Sequence, residues 1–147
     1  MKKRIFVAVL IILLLAGIFF WADAILPETY STAKKSSEGF LRNNADAMEE
    51  IASALLREGK EKSGHYKDHA YAYTAGQDFV AFEMDSQGML GGQYWSLIYT
   101  SDDTGYGKSE RYVHEETDGN NIYIAERLDD HWWFLWTDYD GTDRSYK

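Results

Sequence analysis

Near residue 60 the spacing of apolar side chains changes from that of a helix to that of strands, and this switch narrows the folds open to the chain. Between residues 37 and 57, Phe40, Leu41, Ala45, Met48, Ile51, Ala52, Leu55 and Leu56 recur at three- and four-residue intervals, the pattern of an amphipathic helix. Ser36 or Ser37 can cap its start, and Gly59 is placed to end it in the left-handed conformation. Residues 60–67 read as a charged loop. Beyond them, aromatic and β-branched residues alternate with small or polar ones in short runs between turn clusters. Six strands can be drawn, at 69–74, 78–84, 93–100, 109–114, 121–128 and 131–137. One helix followed by strands joined through tight turns predicts an α+β domain, an antiparallel sheet of about six strands with the helix across one face. Cystatin-like and related helix-on-sheet arrangements fit this order.

A second segment lies ahead of that domain. Lys2, Lys3 and Arg4 precede an uncharged run of eighteen residues, 5–22, which as a helix would span roughly 27 Å, close to a bilayer core. Small residues at Ala22-Asp23-Ala24 also suit a signal peptidase, so secretion after cleavage is the alternative. The run is longer than the ~7 to 15 residues usual in signal peptides, which favours an uncleaved anchor. Trp21 suits the membrane interface. Basic residues packed before the run, with Lys34 and Lys35 well beyond it, predict a single-pass topology with the N-terminus cytoplasmic. The expected organisation is a cytoplasmic tail at 1–4, a transmembrane anchor at 5–22, a tether at 23–36 and an extracytoplasmic α+β domain at 37–147.

Charge and composition limit what that domain can meet. The chain carries 24 acidic and 15 basic side chains, and removing the first 22 residues leaves 12 basic against 24 acidic, a formal charge of −12. Such a surface repels phosphate backbones and anionic headgroups, which argues against nucleic acid and favours cationic partners. With 45% hydrophobic and 16% aromatic residues, the chain is far from the composition of disorder. It contains no cysteine, which excludes disulfides, thiolate metal sites and cysteine nucleophiles. The lack of cysteine and of any Asn-x-Ser/Thr acceptor fits a bacterial exported protein.

The candidate binding residues are aromatic: Trp95, Trp132, Trp133, Trp136, Tyr94 and Tyr99. Indoles stack on sugars and peptides, but large aromatics also supply the core of a small domain. Alternation puts Trp132, Phe134 and Trp136 on one strand face and Trp133 and Leu135 on the other. Only one of these sets can meet the main core, and something else must cover the second. His65 and His69 are four apart with Asp68 between, yet they fall in a predicted loop and no third ligand has recognisable spacing, so no metal site is assigned. The run Asp138-Tyr139-Asp140-Gly141-Thr142-Asp143 is out of register for an EF-hand and reads as a solvated acidic tail. Carboxylate pairs for glycoside chemistry could be drawn from Glu83, Asp85, Asp102, Asp103, Glu115, Glu116, Asp129 and Asp130, but most lie where turns favour Asp. No nucleophile elbow or phosphate loop occurs. No catalytic residue and no cofactor is assigned.

The N-terminal anchor, Phe40-Leu41-Arg42-Asn43, Gly92-Gln93-Tyr94-Trp95-Ser96, Ser101-Asp102-Asp103 and the Trp-rich last strand together resemble small N-terminally anchored extracytoplasmic proteins of bacteria. No activity is attached to that group, so the resemblance implies location and fold type and supplies no site residues. The expectation is a non-catalytic interaction domain binding a protein partner through acidic and aromatic surface. The alternatives are a cell-envelope glycan or small-ligand binding module and, further off, a carboxylate-dependent hydrolase.

Overall fold

The computed structural model describes residues 29–87, 92–102, 109–116, 121–139, 141 and 145–147. Among the described residues there is one helix, α1, which spans Tyr30–Glu58 and starts within the segment expected to be a tether. Thr29 rather than a serine caps it: the Thr29 hydroxyl accepts from the Thr32 amide, and the Thr32 hydroxyl accepts from the Thr29 amide at 2.9 Å. This reciprocal cap satisfies donors that the first turn would otherwise leave open. The buried positions Tyr30, Ala33, Ser37, Leu41, Asn44, Met48, Ala52 and Leu55 follow one helical stripe. Ser37, a cap candidate, is therefore an interior residue. Gly59 ends the helix at φ 64°, with its amide on the Leu55 carbonyl, as its position predicted.

Seven strands follow among the described residues: β1 Lys62–Tyr66, β2 His69–Tyr73, β3 Phe79–Gln87, β4 Gln93–Thr100, β5 Arg111–Glu115, β6 Ile122–Asp129 and β7 Trp132–Asp138. They form one antiparallel sheet in the order β1-β2-β3-β4-β7-β6-β5. The expected α+β fold holds, with one strand more than predicted. β1 is the extra strand, formed by most of the segment read as a charged loop. Its residues Lys62, Ser63 and His65 are exposed, so it carries no apolar alternation. It pairs instead by backbone, through a two-residue turn in which Lys67 adopts φ 54°. Lys67 holds that turn to α1, donating to Asn44 Oδ1 at 2.5 Å beside the Phe40 and Tyr66 rings. β3 likewise runs through Asp85 and Ser86, read as a turn, because a bulge between Glu83 and Asp85 restores pairing with Tyr94 and Trp95.

α1 packs along one face of the sheet in two adjoining clusters. Leu41, Met48, Ala52 and Leu55 meet Val80, Phe82, Leu97, Tyr99 and Trp132. Tyr30 and Ala33 meet Trp95, Ile122, Ile124, Phe134, Trp136 and Tyr146. Tyr146 thus brings the chain end back into the core, and Asp138 is fully buried, its Oδ1 accepting from the Gly141 amide at 3.1 Å. The expected solvated acidic tail is corrected at these positions; Asp140 and residues 142–144 lie outside the described residues. No helix among the described residues is long and apolar enough to cross a membrane. The expected anchor at 5–22 lies outside them too.

Candidate functional site

Strand alternation sorts every sheet residue onto the α1 face or the open face. Trp95, Trp132 and Trp136 point toward α1, where Trp95 and Trp136 stack at 5.2 Å. Trp133 points the other way and is packed with Ile98, Ala125, Phe79, Ala81 and Leu135. The four tryptophans are 0 to 4% exposed, and Tyr99 is buried beside Glu49 and Ser53 of α1. Of the six residues expected to bind, the structure offers one ring to solvent, that of Tyr94, 40% exposed. Indoles serve the core here because a small domain without disulfides depends on large buried apolar area.

The α1 face also contains the most heavily partnered charge. Tyr30 Oη donates to Glu126 Oε2, Lys34 Nζ lies 2.6 Å from Oε1, and Arg111 Nε lies 3.7 Å from Oε2. Arg111 also donates to the Tyr146 carbonyl. Burial raises the affinity of the Glu126 carboxyl for its proton, but hydrogen bonds from Lys34 and Tyr30 and the charges of Lys34 and Arg111 outweigh it and hold the pKa below the ordinary glutamate value. Burial, followed by the Glu126 carboxylate, pushes the Tyr30 phenol upward. These contacts fasten the start of α1 to β5 and β6.

The open face differs. Tyr112 and His114 of β5, Tyr123 of β6, Tyr139 after β7 and Tyr94 of β4 form a row of ring contacts, at 6.4, 6.1, 6.3 and 5.7 Å in turn. Tyr112 and Tyr139 are 46% and 43% exposed. Tyr123 has its phenol pKa raised, first by desolvation and then by the Glu116 carboxylate that its hydroxyl approaches at 3.4 Å. At the Tyr94 end the row opens into a groove of about 640 Å³ across β1 to β4. Ala70, Ala72 and Ala81 give it a floor without bulk, and Ser63, His65, Glu83, Tyr94 and Ser96 supply its polar groups. Gly64 belongs to the same wall, and a Cβ there would come within 2.5 Å of the Tyr71 hydroxyl.

No family model, curated protein or solved structure matches this chain.

His65 and His69 do not converge. They sit on β1 and β2, with His65 opposite Ala70 and Tyr66 opposite His69, which sends the two imidazoles to opposite faces. His69 contacts the Met84 carbonyl at 3.0 Å and the Phe40 ring, while His65 borders the groove. Among the described residues lining the groove, Glu83 is the one carboxylate, so the acidic pair of a glycoside hydrolase is not assembled there. The tyrosine row was missed in the sequence, although Tyr123 between Ile122 and Ile124 carries the clue: if the isoleucines face the core, the tyrosine cannot.

Proposed function

We propose that the chain is a non-catalytic, membrane-anchored recognition domain, displayed outside the cell membrane, that binds a protein partner on the sheet face opposite α1. The observation supporting this most is the exposed tyrosine row running into a groove, on a face that α1 leaves open. Exposed aromatics beside polar groups are the usual material of binding centres, because tyrosine offers large contact area with few rotors. Seven strands at about 4.8 Å spacing make the face roughly 30 Å wide, a scale suited to a protein interface of about 800 Å² per side. The basic residues before the apolar run 5–22 support display on the outer side.

Photo-crosslinking amino acids at Tyr112 and Tyr94 should capture a partner in intact cells, whereas one at Glu50, exposed on α1, should not. Equal capture from both faces would contradict the assignment. Protease added to spheroplasts should digest the C-terminal domain, and full protection would contradict the topology. The groove beside Tyr94 favours a second reading, an envelope glycan or small ligand, since hydroxyls and a carboxylate next to a ring also suit a sugar. That reading predicts no protein crosslink from either face.

A further inference from the structure

We propose that the groove across β1 to β4 seats a lysine or arginine side chain of the partner, with Glu83 as its counter-charge and Tyr94 as the ring beside it. This rests on the reading of the open face as a protein-binding surface and identifies what that face recognises. Sheet positions usually carry bulky side chains, yet Ala70, Ala72 and Ala81 line the floor while Tyr71, Tyr73, Val80 and Phe82 fill the α1 side of the same strands. The space left is about 640 Å³, enough for a long side chain together with part of the segment carrying it. Lysine and arginine combine an apolar stem with a charged head. Alanine methyls suit the stem, and a carboxylate with an aromatic face suits the head.

Charge selects between possible occupants. Glu83 is exposed and makes no ion pair or hydrogen bond among the described residues, unlike Glu126 with its three partners. The surrounding chain is acidic, 24 carboxylates against 15 basic groups, so a cationic segment is drawn in and an anionic one repelled.

The test uses the full-length protein in detergent micelles with ¹³C-labelled alanine methyls, titrated at low salt with trilysine amide and with the same peptide acetylated on its side-chain amines. Trilysine should shift the methyls of Ala70, Ala72 and Ala81, and acetylation or Glu83→Gln should weaken binding about tenfold, the scale of one charge-assisted hydrogen bond. Ala72→Phe, at an exposed position, should fill the groove and block the peptide while the α1-face resonances stay in place. Equal affinity for the acetylated peptide, indifference to Glu83→Gln, or shifts confined to other alanines would overturn the proposal. If these occur while crosslinking from Tyr94 and Tyr112 persists, the open face still binds a protein but the groove does not read a cation. If N-acetylglucosamine oligomers shift the three methyls and trilysine does not, the groove is a glycan site and the proposal is overturned.

Discussion

On the α1 side of the sheet Glu126 is held by Tyr30, Lys34 and Arg111; on the other side Glu83 has no ion pair or hydrogen bond among the described residues. Trp95, Trp132 and Trp136 lie under α1, whereas Tyr112, His114, Tyr123, Tyr139 and Tyr94 form a chain of ring contacts across the open face. One sheet therefore carries both a folding surface and a recognition surface. A carboxylate with three partners marks the first, and an exposed carboxylate without one among the described residues marks the second. A half-buried carboxylate left without partners would cost stability, whereas an exposed one is satisfied by water and can exchange that water for a ligand.

Substitutions on each face should therefore act differently. The largest effect is expected at Trp136, fully buried and stacked on Trp95: Trp136→Ala should cost about 3 to 5 kcal/mol in urea denaturation. A loss under about 1 kcal/mol would mean that the α1 face does not hold the core together.

Glu126→Gln comes next, at about 1 to 3 kcal/mol, because Lys34 and Arg111 lose their counter-charge. The pKa of Glu126 is lowered on folding, so its contribution is present above the unfolded glutamate pKa of about 4.3 and is lost as pH falls through the folded value. The gap in urea midpoint between wild type and Glu126→Gln should thus be full at neutral pH and narrow under acid. A gap independent of pH would show that the charge contributes nothing.

Gly64→Ala should cost about 1 to 2 kcal/mol, since the new methyl must push aside the Tyr71 ring. If that variant is as stable as wild type, the β1–β2 hairpin accommodates the ring elsewhere. Tyr94→Ala should change the urea midpoint least, within about 0.5 kcal/mol, while weakening partner capture from the open face. A large stability loss there would place Tyr94 with the core.

Much of the fold was legible because its elements follow simple periods. β4 matches its predicted span, β6 and β7 shift by a residue, and β2 ends one residue early. The first turns of α1 were hidden because their buried positions are Tyr30, Ala33 and Ser37, which interrupt the aliphatic stripe, and because the cap is a threonine pair. β1 was hidden because pairing, not burial, makes it a strand. The site was legible only in part: composition announces an aromatic surplus, but only pairing shows that Trp95, Trp132 and Trp136 lie under α1 while Tyr94, Tyr112, Tyr123 and Tyr139 lie on the open face. The groove was not legible at all, since it is made by what Ala70, Ala72 and Ala81 lack.

The most direct measurement is the affinity of the full-length protein for trilysine in two variants that each remove one carboxylate, Glu83→Gln and Glu126→Gln, under conditions where both are folded. Glu83→Gln should bind about tenfold more weakly, and Glu126→Gln should bind as wild type does. Equal losses in the two, or a loss in Glu126→Gln alone, would contradict the division of the sheet into a folding face and a recognition face.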